Sequence, residues 1–278
     1  MYRRHKTSAI ASALALLFAG CFAGDDPLFA DGGGGDGLTL PDAVSCLPNN
    51  DGVIDLNEVA FLPGLALTYR TNKPGTTVAV DVAGKTVNDA LEWDFSARDG
   101  VTFTTALEEV KSQWWAPIFP NASHAVPSDP SGKTLQVVQV DGDRLLLLGL
   151  VSRDKDVTRL VYDTPVLFLR FPLKVGDSYS TTAQALDGKL DGLPIATEDT
   201  YTVTIDALGT VRLPFVKLSK TLRIRVDVET KAVGGVKNSV KQVQWFHECY
   251  GEIARVVSKT GETQADFTQA TEFRRLSF

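Results

Sequence analysis

Apolar and polar residues alternate with a period of two over much of the chain that follows residue 63. The clearest runs are Tyr201–Asp206 and Leu222–Glu229, in which every second residue is aliphatic or aromatic and the residues between are polar. Successive side chains of a β-strand point to opposite faces, so this pattern is typical of strands with one buried and one solvated face. The run Leu145–Leu148 is apolar at every position, which predicts a strand buried on both faces.

Gly and Pro clusters separate these runs, as expected for hairpin connections, and helical periodicity is scarce. A short helix is predicted near the N-terminus, over Asp55–Phe61. We therefore predict a mainly β domain over residues 63–278, built as an antiparallel, strongly curved sheet or an open half-barrel.

The first twenty residues have a different pattern. Arg3, Arg4 and Lys6 precede the apolar run Ala9–Ala19, which is too short to span a bilayer and is typical of a signal peptide. The following Ala19-Gly20-Cys21 resembles a bacterial lipobox, which implies cleavage of residues 1–20 and attachment of acyl chains such as palmitate to Cys21. Ordinary cleavage nearby, for instance after Ala23, is the alternative.

Two or three acyl chains on one residue would anchor the chain stably in a membrane. The residue after Cys21 is Phe22 and not Asp, which by the sorting rule of lipoproteins implies the outer membrane, on a face that the sequence leaves open. Residues 21–38 are rich in Gly and Asp and predict a flexible tether.

The net charge of the chain limits the classes of partner that we expect. The formal net charge is −6, and it falls to −9 when residues 1–20 are removed, because that segment carries three cations and no acid. Nucleic-acid binding needs a basic surface, and the sequence has no Lys/Arg cluster with interleaved aromatic residues. We therefore expect no nucleic-acid partner.

Residues 39–62 contain a loop that resembles a degenerate EF-hand. With Gly52 aligned to the glycine of the calcium loop, the ligand positions fall on Asn49, Asp51, the carbonyl of Val53, Asp55 and Glu58. The first ligand position is Leu47, so one charged ligand is missing. The sequence therefore predicts at most a weak calcium site, and a turn without metal is the alternative; we expect no other cofactor.

Two cysteines remain if Cys21 is lipidated. Cys46 and Cys249 form an even pair in an oxidising compartment, which favours a disulfide between them. Two buried free thiols, or Cys249 as a nucleophile, are the alternatives.

Four large aromatic residues lie close together in the sequence: Trp93, Trp114, Trp115 and Phe119. Such side chains can form an apolar binding patch for a lipid or a hydrophobic peptide. Packing in a core is the alternative, since that is where most such residues lie.

Catalytic patterns are sparse. Gly176-Asp177-Ser178 resembles the nucleophile block of SGNH hydrolases, but neither His124 nor His247 follows an Asp at the spacing of that family. His247 and Cys249 share one face of a strand pattern, an awkward geometry for a catalytic dyad. We expect a non-catalytic protein, and an envelope hydrolase that uses Ser178 or Cys249 is the alternative.

Several segments together resemble a group of myxobacterial envelope lipoproteins. They are Trp93–Ser96, Trp114–Ala116, Phe171–Asp177 and Glu248–Gly251, with the Asn49–Ile54 loop near the mature N-terminus. This resemblance implies an outer-membrane lipoprotein whose β domain binds a hydrophobic ligand or a protein partner. Carriers of the LolA/LolB kind, with a half-barrel and an apolar concave face, offer an analogy at the level of the fold.

Overall fold

The structure is a computed structural model that describes Cys46 and residues 48–59, 61, 64, 66–232, 234–235 and 237–277. The predicted signal peptide, the acylated Cys21 and the tether over 21–38 lie outside the described residues. No helix in the described part of the chain is long and apolar enough to cross a membrane.

The described chain is built almost entirely of β-strands, as the alternating pattern predicts. They are β1 (Ala66–Thr71), β2 (Val78–Ala79), β3 (Lys85–Val87), β4 (Ala90–Asp94), β5 (Val101–Ala106), β6 (His124–Pro127), β7 (Thr134–Asp141), β8 (Arg144–Ser152), β9 (Arg159–Arg170), β10 (Ser178–Leu190), β11 (Leu193–Arg212), β12 (Lys217–Ala232), β13 (Lys237–His247), β14 (Gly251–Ser258) and β15 (Gln269–Leu276). The two helical segments are single 3₁₀ turns, Leu56–Glu58 and Ala116–Ile118. The predicted N-terminal helix is thus present only as one short turn.

The strands form one sheet in the order β5-β1-β15-β14-β13-β12-β11-β10-β9-β8-β7-β6. From β6 to β15 each strand pairs with the next strand in sequence, as expected for a series of hairpins. The short strands β2, β3 and β4 lie beside this path, and β4 runs parallel to β11.

The two ends of this sheet meet. Just after β5, Glu108 exchanges two backbone hydrogen bonds with Ala125 of β6, at 2.8 and 3.0 Å. The twelve-strand path is therefore nearly closed into a barrel. The prediction of a mainly antiparallel, strongly curved sheet is confirmed, and the curvature goes further than an open half-barrel.

Buried apolar residues form three clusters. One includes Leu147, Leu160, Val203, Ile224 and Phe246; the second is centred on Trp93, Phe95, Trp245 and Phe267; the third includes Trp115, Phe119, Leu135 and Leu146. Strand β8 contributes to two of them, with Leu145 and Leu147 in the first cluster and Leu146 and Leu148 in the third. The prediction that this strand is buried on both faces is confirmed.

Candidate ligand-binding cavity

A cavity of ≈ 140 Å³ lies inside the barrel. Its lining comes from nine strands that are adjacent across the seam between β5 and β6, namely β13, β14, β15, β1, β5, β6, β7, β8 and β9. Side chains from so many adjacent strands can meet only on the concave side of the sheet. An engineered protein cavity of about 150 Å³ with apolar walls binds benzene, so this volume suits a small organic molecule.

One wall of the cavity is apolar. Six of its aliphatic and aromatic side chains are Leu67, Val126, Val138, Leu145, Leu147 and Phe168. They come from strands in which alternate residues are apolar, so the same alternation that closes the barrel supplies the wall. Such a surface can bind an apolar group by excluding water from both.

The other wall carries charge. Arg255 of β14 and Arg274 of β15 flank Glu252 and are paired with each other in register. The Glu252 Oε2 atom accepts hydrogen bonds from Arg255 Nε at 2.9 Å and Nη2 at 2.6 Å. Its Oε1 atom accepts from Arg274 Nε at 2.9 Å. Two guanidinium groups therefore share one carboxylate.

The pKa values follow from this arrangement. Burial by itself would raise the pKa of the Glu252 carboxyl, but the Arg255 and Arg274 guanidiniums outweigh burial and hold that pKa below its usual range. Glu272 lies beside Arg274, at 3.6 Å from Nε, and burial raises its pKa. Glu252 is thus held in its charged form, while burial favours the neutral form of Glu272.

Three buried polar atoms in the cavity lining have no hydrogen-bond partner within the described chain. They are Thr105 Oγ1, His124 Nε2 and Arg255 Nη1. Buried polar groups in proteins are normally paired, and an unpaired group calls for an explanation such as a bound water or a ligand. Arg255 and His124 are only 5% and 2% exposed, so bulk solvent does not satisfy them.

Burial also determines the charge of His124, whose pKa it lowers to about 4. The imidazole is therefore neutral near neutral pH. Its ring stacks on Phe61, with the ring centroids 5.8 Å apart. His124 thus offers the cavity a neutral hydrogen-bonding edge within an apolar stack.

The segment before β1 lies against this cavity, and a disulfide attaches it. Cys46 is bonded to Cys249, 203 positions away, as the sequence predicts. The Cys249 N–H donates to the carbonyl of Glu58 at 2.8 Å. Val59 and Phe61 then line the cavity, so the disulfide holds part of the wall in place.

The EF-hand-like loop uses its polar side chains in hydrogen bonds. Asn49 Oδ1 accepts from the Asp51 N–H, and Asp51 Oδ1 accepts from the Val53 N–H, at 2.8 and 2.7 Å. The Glu58 carboxylate accepts from Asn49 Nδ2 and from the Asp55 N–H, at 3.0 and 2.9 Å. Among the described residues, no group of three His, Cys, Asp or Glu side chains is placed to hold a metal ion. The weak calcium site stays a prediction.

The aromatic residues do not form one exposed patch. Trp93 belongs to the second core cluster, where its ring packs on Trp245 at 5.8 Å between centroids. Trp115 and Phe119 are buried in the third cluster, against which the partly buried Trp114 packs. The prediction of a shared binding patch is therefore corrected, because packing, the alternative interpretation, accounts for these side chains.

The two candidate nucleophiles lie in ordinary structural surroundings. The sulfur of Cys249 is in the disulfide and offers no free thiolate. The Ser178 hydroxyl lies on an exposed face and is hydrogen-bonded to the Thr204 hydroxyl at 3.1 Å. This pairing gives Ser178 no base of the kind that a hydroxyl nucleophile requires.

Sequence reasoning missed the residues that line the charged wall. Glu252 and Arg255 are three apart, so on a regular strand they would face opposite sides. A bulge between β13 and β14 shifts the register near Trp245 and Phe246, and it brings both side chains to the cavity. One feature of the sequence could have indicated this wall: Arg255 is a charged residue within the otherwise apolar run Ile253–Val257.

A function for this chain has to be inferred from the residues of the cavity. No protein-family model, curated protein sequence or solved structure matches the chain.

Proposed function

We propose that the protein is a non-catalytic, lipid-anchored component of the outer membrane whose barrel binds a hydrophobic ligand. The observation that carries this proposal is the cavity of ≈ 140 Å³, bounded on one side by aliphatic and aromatic side chains. Small-molecule sites are typically concave and mostly apolar, with a few polar groups that orient the ligand. The cavity has this composition.

Two other features support the same proposal. The cavity is lined by hydrogen-bonded strands of one nearly closed sheet. These strands are already ordered, so binding of a ligand would cost little free energy for ordering the protein. The lipobox-like Ala19-Gly20-Cys21 and the Gly-rich tether are the sequence basis for anchoring at a membrane. A concave site of this volume favours a small ligand over a protein partner, which would need a large exposed surface.

Binding is tested by titrating the protein with octan-1-ol in a calorimeter and comparing two valine-to-phenylalanine variants. Val138 lines the cavity, so Val138→Phe places extra ring atoms in the space that the ligand would occupy. Val175 is 48% exposed and does not line the cavity, so Val175→Phe is the matched control. We expect saturable binding to the wild type and the control, weakened at least tenfold in Val138→Phe.

Absence of octan-1-ol binding to the wild type would contradict the proposal. Equal affinity in the wild type and in a folded Val138→Phe variant would also contradict it, because the ligand would then lie elsewhere. Circular dichroism spectra of all three proteins establish that a loss of binding is not a loss of fold.

Anchoring is tested separately, by mass spectrometry of the protein extracted from its membrane with detergent. We expect a polypeptide that begins at Cys21 and carries the additional mass of acyl chains. An unmodified polypeptide that begins after Ala23 would contradict the lipid anchor and leave the cavity proposal untouched.

A further inference from the structure

Arg255 and two aliphatic residues of the cavity lining, Leu145 and Leu147, lie on opposite sides of the barrel. Arg255 is on β14, and Leu145 and Leu147 are on β8. In the order of the twelve-strand path, closed at the seam, these two strands are half a circuit apart. A molecule that spans the cavity would therefore have one end near arginine and the other end near aliphatic side chains.

Arg255 has hydrogen-bonding capacity left over. Its Nε and Nη2 atoms are bonded to Glu252, while Nη1 is buried without a partner. A guanidinium has five N–H donors and no acceptor, so the atom that could pair with Nη1 must be an acceptor. Anionic acceptors form the strongest hydrogen bonds of this kind.

The charges around this atom also favour an anion. Two guanidiniums, those of Arg255 and Arg274, share the carboxylate of Glu252. The second acid beside them, Glu272, lies 3.6 Å from Arg274 Nε, but neither of its carboxyl oxygens accepts a hydrogen bond from the described chain, and burial raises its pKa. A buried charge is stable only when it is paired and hydrogen-bonded, and an anionic ligand would give Arg255 a further hydrogen-bonded partner.

We propose that the cavity binds a medium-chain carboxylate, whose head group accepts hydrogen bonds from Arg255 Nη1 and whose alkyl chain lies against Val138, Leu145 and Leu147. This proposal rests on the proposed function and specifies the chemical class of its ligand. The volume is close to that of a cavity that binds benzene, so it can hold about six carbons of the alkyl chain.

The first test compares three ligands that differ only in the head group: octanoate, octan-1-ol and octylammonium. Calorimetric titrations of the wild-type protein are made at about pH 8, where the carboxylic acid is ionised and the amine is still a cation. A hydrogen bond to a charged group contributes more than one between neutral groups. We expect octanoate to bind at least tenfold more tightly than octan-1-ol, and octylammonium to bind more weakly than either.

The second test removes the proposed head-group partner. Arg255→Gln keeps much of the side-chain length and removes the charge. Arg275→Gln is the matched control, because Arg275 is the register partner of Ala254, the residue before Arg255, and it does not line the cavity. The Arg275 guanidinium donates instead to the carbonyl of Ala97 and to Asp99. We expect Arg255→Gln to lose the preference for octanoate while it still binds octan-1-ol, and Arg275→Gln to keep the preference.

Binding of octan-1-ol shows that the cavity of Arg255→Gln is intact, so a loss confined to octanoate is a head-group effect. Should this variant fail to fold, the ligand series on the wild type decides alone. Octan-1-ol binding that equals or exceeds octanoate binding would overturn the carboxylate proposal and leave the proposed function standing. Failure of all three ligands to bind would overturn both.

Discussion

At the scale of single residues, the inside of the barrel combines apolar packing with polar atoms that the protein does not satisfy by itself. His124 and Arg255 are the clearest cases, because each is buried and each has a nitrogen without a partner in the described chain. An unpaired buried polar group costs about 1–3 kcal/mol. We infer that the fold retains these unpaired polar atoms because they face a site that a ligand fills.

His124 makes the stability of the ligand-free protein depend on pH. Its pKa in the fold is about 4, below the ordinary value of 6.5, so the unfolded chain binds more protons in between. The contribution of the neutral His124 to the free energy of unfolding is complete above about pH 6.5 and is lost as the pH falls towards 4. Phe61 covers one face of its ring.

We expect His124→Phe, which keeps the stack on Phe61, to lose less stability over this range than the wild type. The difference should be on the order of 2–3 kcal/mol, measured by urea unfolding at pH 6.5 and at pH 4. The comparison isolates His124, because the buried carboxylates titrate in both proteins. Parallel pH curves for the two proteins would contradict a buried, neutral imidazole.

Glu58 provides the test of the predicted calcium site. Its carboxylate accepts hydrogen bonds from Asn49 Nδ2 and from the Asp55 N–H, so Glu58→Gln should lower the thermal midpoint even with a chelator present. The calcium prediction requires a further decrease that is seen only in millimolar calcium. Thermal unfolding with calcium and with chelator gives both values, and equal decreases in the two buffers would end the calcium prediction.

At the scale of elements, alternation along the chain predicted strands that bury one face and expose the other, and an uninterrupted apolar run predicted a strand buried on both faces. The patterns Tyr201–Asp206 and Leu222–Glu229 lie in β11 and β12, and the all-apolar Leu145–Leu148 lies in β8. The disulfide was predictable from the number of cysteines and the expected compartment, and Cys46 is bonded to Cys249.

The cavity was not predictable in the same way. Which strands face one another across a barrel depends on pairings between distant segments, such as the one between Glu108 and Ala125. The bulge that places Glu252 beside Arg255 is likewise set by the register of β13 and β14. A bulge breaks the period of two, and the alternation argument depends on that period.

The disulfide-linked segment gives a prediction for an element. Replacement of Cys46 and Cys249 by alanine opens a loop of 203 positions, and the chain-entropy model assigns such a loop about 5 kcal/mol. We expect the double variant to unfold at clearly lower urea concentration than the wild type. Because Val59 and Phe61 line the cavity, its octan-1-ol affinity should fall as well.

The same measurement on wild type treated with reductant is the control. It should reproduce both changes without any substitution. A double variant with unchanged stability and unchanged ligand affinity would show that the disulfide does not hold this wall.

At the scale of the whole molecule, closure of the barrel is uneven. Strands β11 and β12 pair along most of their lengths, whereas the pairing of Glu108 with Ala125 provides two backbone hydrogen bonds at the seam. Thr105 and Ala106 on one side of the seam and His124 and Val126 on the other line the cavity. The seam is thus both a short join and a wall of the site.

We expect hydrogen exchange to be faster at the amides of Glu108 and Ala125 than at amides in the middle of β11 and β12. Short pairings open locally at lower free energy than long ladders. Octan-1-ol should slow exchange at the seam and leave the β11–β12 ladder unchanged. Seam amides as protected as that ladder, or unaffected by ligand, would contradict this view of closure.

The measurement that tests the central claim most directly is an NMR experiment that detects nuclear Overhauser effects between octan-1-ol and isotope-labelled methyl groups. The account predicts contacts from the ligand to the methyl groups of Val138, Leu145 and Leu147, which line the cavity, and none to exposed Val175. Contacts confined to surface methyl groups such as Val175, with none to the cavity, would contradict the claim that the barrel binds its ligand inside.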